Sequence, residues 1–90
     1  MDEIRGIVSG RVQGVNYRNF VRKHAQHLAL RGHVRNLTDG TVEVVAQGDH
    51  DALTKLVEHL HMGPLFSHVS GVEVVWREST TEMSTFDIED

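Results

Sequence analysis

Apolar residues recur along this chain at two spacings, and the switches between them mark the elements. Ile4, Ile7 and Val8 give Ile4–Ser9 its β-forming character and predict a first strand. A loop from Gly10 to Asn16 follows, and the spacing then changes to three and four. Tyr17, Phe20, Val21, His24, Ala25 and Leu28 fall on one face of a helix running from about Tyr17 to Leu30. Asn16 is placed to cap its start and Gly32 to stop its end. Gly32–Leu37 and Thr41–Gln47 read as a second and a third strand, with Val42, Val44 and Ala46 alternating in the latter. Asp39-Gly40 between them signals a hairpin, because a tight turn needs positive φ there. Asp49-His50-Asp51 offers caps to a second helix carried by Leu53, Leu56, Val57 and Leu60 and ended by Gly63-Pro64. His68–Arg77 predicts a fourth strand with Val72, Val74 and Trp76 on one face, and Met83–Ile88 a short closing strand.

The resulting order is βαββαβ plus a tail strand. Right-handed crossovers then place the first and third strands together at the centre of a mixed, mainly antiparallel sheet, with both helices on one face. This is the α+β, ferredoxin-like sandwich. With 90 residues and no linker, repeat or low-complexity stretch, residues 1–90 are expected to form a single domain. The architecture hosts many unrelated functions, so the chemistry has to come from particular residues.

Composition narrows the field. Cysteine is absent, which excludes disulfides, zinc–thiolate centres and cysteine nucleophiles, and favours the cytoplasm for a domain this small. No apolar run reaches membrane-spanning length, and Met1-Asp2-Glu3-Ile4-Arg5 lacks a signal-peptide core. The formal net charge is −4, yet residues 4–38 contain no Asp or Glu. That window holds Arg5, Arg11, Arg18, Arg22, Lys23, Arg31 and Arg35, seven of the nine Lys and Arg residues. A locally positive segment on an acidic protein suits capture of a small anion, whereas a nucleic-acid binder is more often basic throughout. Arg22, Lys23 and Arg31 read as charges that solvate a helix face.

Within this window lies Gly10-Arg11-Val12-Gln13-Gly14-Val15-Asn16-Tyr17-Arg18. A strand running into a glycine-bounded loop and then a helix points backbone N–H groups at a common centre, where the helix dipole favours negative charge. An arginine there adds a planar fork matched to phosphate oxygens. The string is not a nucleotide-binding P-loop, since Gly10 and Gly14 are too close and no Lys-Ser/Thr follows. Gln13 reads as a brace that pins the loop through its side-chain amide. Arg11 either adds field to the pocket or is a solvated loop charge. The paired histidines His24/His27 and His59/His61 lack a cysteine or a nearby acid to complete a metal site and read as surface residues.

The loop string continues into Ala25-x-x-Leu28-x-Leu30-x-Gly32-x-Val34-x-Asn36-x-x-Asp39-Gly40-x-Val42-Glu43-Val44. Together the two segments resemble the acylphosphatase family over nearly the whole chain. The resemblance implies the same ferredoxin-like fold. It also implies hydrolysis of a small acyl phosphate to a carboxylate and inorganic phosphate by metal-free attack of water, with no cofactor. It places the catalytic roles on Arg18, which holds the phosphate, and Asn36, which orients the water. The phosphate cradle falls on the backbone N–H groups of Val12, Gln13, Gly14, Val15, Asn16, Tyr17 and Arg18. An acyl phosphate expels a carboxylate, so little acid help is needed; charge neutralisation and an in-line water remain to be supplied.

Asn16, Tyr17, Ala29 and His33 depart from the family's usual residues, at positions that bear on packing and substrate access. The expected partners are the acyl phosphate and inorganic phosphate, as product and competitor, with neither nucleic acid nor membrane, acting on a monomer. The alternative is a non-catalytic small-anion or RNA-binding ferredoxin-like module. RNA-recognition domains stack bases on strand aromatics, and the aromatics here (Tyr17, Phe20, Phe66, Trp76, Phe86) form no Arg/Lys-Gly-aromatic string. A third reading is a domain cognate to the acylphosphatase-like piece of larger carbamoyl-transferring proteins.

Overall fold

Strand residues with even numbers carry most of the apolar side chains, and this parity decides which face of the sheet is covered. The computed structural model describes residues Met1–Asp90. The elements are β1 (Asp2–Arg11), α1 (Tyr17–His27), β2 (Arg31–Asn36), β3 (Val42–Gly48), α2 (His50–Met62), β4 (His68–Glu78) and β5 (Phe86–Glu89). They build a five-stranded sheet in the order β4-β1-β3-β2-β5. Every pairing is antiparallel except β2 with β5, which is parallel. The expected adjacency of the first and third strands is met, with Asp2 opposite Gly48 and Val8 opposite Val42.

Ile4 and Val8 of β1, Val34 of β2, Val42, Val44 and Ala46 of β3 and Phe86 of β5 form one buried layer. Tyr17, Val21 and Ala25 of α1 and Leu53, Leu56 and Leu60 of α2 close over it. α1 lies on β2 and β5, and α2 on β4, β1 and β3. Each buried leucine or valine contributes about 1.5–3 kcal/mol relative to exposure, so this single layer holds the two halves of the fold together. The fold is ferredoxin-like, as the alternation implies. Val72 and Val74 pack against the core as expected. Trp76 shares their side of β4 but reaches the rim, 42% exposed, where its ring meets His50 at 4.7 Å.

The odd-numbered face carries charge. Glu43 accepts hydrogen bonds from Arg5 Nε (2.8 Å) on β1 and Arg35 Nε (2.7 Å) on β2. Glu3 accepts from Gln47 Nε2 (2.7 Å) and from Arg77 on β4. Gln47 also donates to Thr81 O (2.6 Å) and accepts from Met83 N (2.9 Å), which ties the connection between β4 and β5 to the sheet.

The first helix ends earlier than its apolar spacing suggests. α1 stops at His27, and Leu28 and Ala29 turn the chain, with Ala29 at φ 59° in the left-handed region. Ala29 N donates to Gln26 O (3.0 Å) and Leu30 N to Ala25 O (2.9 Å), which together close a Schellman motif. Gly32 is therefore not the helix stop but a residue of β2. A Cβ there would fall 1.9 Å from Val45 O, so only glycine lets β2 lie this close to β3.

Candidate active site

β1 leaves the sheet through a slip in register against β4 between Ser9 and Gly10. A Cβ on Gly10 would sit 2.1 Å from His68 O, so the departure requires glycine. Val12 is then driven into the core, Gly14 turns the chain at φ 74°, and Asn16 enters α1 at φ 66°, ψ 22°. Asn16 stands at the capping position as expected, but its side chain does not cap the helix. Its Oδ1 instead accepts from Asn19 Nδ2 at 2.6 Å. No backbone N–H from Val12 to Asn19 donates within the chain; the first that does is Phe20 N, to Asn16 O at 3.2 Å. The first turn of α1 also carries no acidic residue. A run of free N–H groups at a helix start is a ready anion cradle.

That run opens onto a cavity of about 160 Å³ lined by Val12, Gly14, Asn16, Tyr17, Arg18, Asn19, Asn36 and Ile88. A water takes about 30 Å³ of liquid volume, so a phosphoryl group and a water fit together. Arg18 projects from the first turn of α1 with its side chain 32% exposed. Its Nη1 is 3.4 Å from Glu89 O and 3.7 Å from Asp90 Oδ1, so the last strand steadies the guanidinium. Asn36 comes from the end of β2. Its Oδ1 is buried and has no hydrogen-bond partner. A buried amide oxygen without a donor is costly, which makes Asn36 an unsatisfied polar group in the wall of the cavity.

Of the residues singled out in the sequence, Val12, Gly14, Asn16, Tyr17, Arg18 and Asn36 line this one cavity. The side chains of Gln13 and Val15 turn elsewhere. Gln13 Nε2 donates to Leu37 O (2.9 Å) and Thr41 O (2.8 Å), the bracing role its amide suggests, and Val15 packs partly buried against the core. Tyr17 Oη donates to Leu60 O at 2.7 Å; burial raises its pKa, and the hydroxyl serves as an anchor between α1 and α2. Arg11 is exposed, opposite His68.

Sequence reasoning missed Asn19 and Ile88. Asn19 follows from the helix start, being one turn past the loop. Ile88 arrives only through the parallel pairing of β5 with β2, where it lies opposite Val34, and no local signal announces that pairing. The lining contains neither carboxylate nor imidazole. What it can do chemically is therefore bind a compact anion with oriented donors, beside the amide of Asn36.

The histidines lie away from this cavity. His24 and His59 stack between the helices, ring centroids 3.9 Å apart and 18° from parallel. A wider hollow of about 480 Å³ beside them is lined by Lys23, His24, Gln26 and His27. All four belong to α1, so nothing from a second element converges on it.

The acylphosphatase family profile matches residues 4–88. The chain is 47% identical to an acylphosphatase of Deinococcus radiodurans, over 86% of this chain and 88% of that one. It is 49% identical to an acylphosphatase of Thermus thermophilus, over 87% and 89%. Among solved structures, the crystal structure of acylphosphatase from Bacillus subtilis superposes with a TM-score of 0.97, at 40% identity, over 100% of both chains.

Proposed function

Because the chain belongs to the acylphosphatase family and hydrolyses acyl phosphates, we propose that its reaction is carried out in the cavity between the Val12–Arg18 loop and Asn36. The free N–H groups of the loop and the Arg18 guanidinium hold the phosphoryl oxygens. Asn36 Oδ1 accepts from a water and fixes it in line with the scissile P–O bond. Water oxygen bonds to phosphorus as the bond to the acyl oxygen breaks, and R–CO–O–PO₃²⁻ plus water becomes a carboxylate and H₂PO₄⁻. The amide of Asn36 is no base, so the water's proton ends on the departing phosphate. The reaction needs neither metal nor cofactor, because the leaving carboxylate carries its own charge and the donors are preorganised. The presence of Asn36, its Oδ1 unpartnered, in the lining of the same cavity as Arg18 carries this reading.

Residues 1–90 act as one acylphosphatase-like domain, working as a monomer in the cytoplasm on small acyl phosphates, with inorganic phosphate as product and competitor. Neither nucleic acid nor membrane takes part. No helix is long and apolar enough to cross a membrane.

The test is hydrolysis of benzoyl phosphate with excess chelator present and inorganic phosphate added. Turnover is expected to survive the chelator, to be inhibited competitively by phosphate, and to vanish in Arg18→Ala. Asn36→Ala is expected to lose about 10²-fold or more in kcat while the inhibition constant for phosphate stays near the parent value. Near-parent turnover in Arg18→Ala would move the site elsewhere. A large loss of phosphate affinity in Asn36→Ala would make Asn36 a binding residue instead.

A further inference from the structure

We infer that Gln13 is a positioning residue for the reaction: it sets the place of Asn36 relative to the phosphate cradle. The inference rests on the site proposed above. No side-chain hydrogen bond of its own holds Asn36, and its Oδ1 is unpartnered, so the β2–β3 hairpin alone fixes where its amide lies. Gln13 sits in the cradle loop between Val12 and Gly14, both of which line the cavity. Its Nε2 reaches across to the hairpin and donates to Leu37 O (2.9 Å) and Thr41 O (2.8 Å).

Those two carbonyls bracket the residue that matters. Leu37 follows Asn36, Thr41 precedes Val42, and Asn36 and Val42 are paired across the ladder. One amide nitrogen therefore ties both strands of the hairpin to the cradle, immediately beside Asn36.

The same two carbonyls show that Gln13 is not simply holding the fold together. Thr41 O also accepts from Leu37 N (2.9 Å), and Leu37 O from Gly40 N (3.2 Å). Each keeps a backbone partner when the Gln13 donors are removed, so neither becomes a buried orphan. What is lost is the link between the cradle and the water-orienting residue. A displacement of that kind lowers turnover more than binding, because the ground-state phosphate touches the cradle alone while the attack needs both parts in register.

The experiment is steady-state hydrolysis of benzoyl phosphate in a double-mutant cycle between Gln13→Met and Asn36→Ala. Methionine keeps the length of glutamine and removes the N–H donors. Gln13→Met is expected to lower kcat about ten-fold and leave the inhibition constant for inorganic phosphate within about two-fold, as for a misplaced catalytic group with intact binding. In the Asn36→Ala background the same change is expected to alter kcat by less than about two-fold, because coupled residues are non-additive. Gln13→Lys, which restores N–H donors, is expected to recover most of the lost kcat, and it keeps the test available if Gln13→Met folds poorly.

Equal losses in both backgrounds would overturn the inference and leave Gln13 a structural brace. Weakened phosphate inhibition with unchanged kcat would overturn it in favour of a cradle role. An unmodified protein that does not hydrolyse benzoyl phosphate would instead overturn the site reading on which the inference depends.

Discussion

Ala29 occupies a position that glycine fills more comfortably. At φ 59° its Cβ crowds the following carbonyl, which costs an L-residue roughly 1–2 kcal/mol, part of which glycine returns through the greater freedom of its unfolded chain. Ala29→Gly is therefore expected to stabilise the protein by about 0.5–1 kcal/mol, seen as a higher denaturant midpoint at unchanged m-value. The same residue shows where single-residue legibility ends. Arg18 and the bracing amide of Gln13 could be read from the loop string, and Asn36 through the family resemblance of the segment that follows it. The left-handed position could not. Gly32 is the more conspicuous signal, and its glycine answers to a neighbouring strand instead of to the helix end.

At the scale of elements, the charged face of the sheet joins β1, β2, β3 and β4 through buried carboxylates. Burial pushes the Glu43 carboxyl up, but the hydrogen bonds from Arg35 and Arg5 outweigh it, and its pKa lies below the ordinary 4.5. Glu3 behaves alike: burial raises its pKa, and Gln47 and Arg77 bring the net below the ordinary value. A lowered carboxylate contributes stability that is present above its unfolded pKa and is lost as the pH falls through its folded one. Between the helices, burial first, then His59, Lys23 and His27, lower the pKa of His24 below 6.5. The unfolded chain then takes up the proton more readily, so this contribution too is lost on acidification, beginning below 6.5.

The melting temperature is thus expected to fall in two stages between pH 8 and 3. The upper stage is absent in His24→Phe and the lower one reduced in Glu43→Gln; a single stage unchanged by either variant would refute the assignment. The strands themselves are legible from their alternation. The burial of Glu3, Glu43 and Gln47 is not, because alternation assigns odd positions to solvent and only the folded neighbours reveal what covers them.

Across the whole molecule, the cavity takes six residues between Val12 and Asn19 from one end of the chain, Asn36 from the middle and Ile88 from the other end. The element order and the adjacency of the inner strands follow from the pattern of apolar residues. The parallel seam between β2 and β5 does not, since pairings of such separation leave no local trace. Apart from the β2–β3 hairpin, the sheet is closed by distant partners: Asp2 meets Glu78, and Gly32 meets Phe86. Closing such separations before any contact compensates for the lost chain entropy is slow, so refolding is expected on the order of milliseconds to seconds. Trp76, at the rim against His50, reports it by fluorescence, and acylphosphatase activity is expected to return with the same rate constant. Activity returning ahead of the fluorescence would mean that a partly paired sheet already holds the site. Since the last strand supplies both a wall of the cavity and the carbonyl that steadies Arg18, an incompletely paired sheet leaves the proposed site unbuilt, and on that proposal the rate of a sample counts its native molecules.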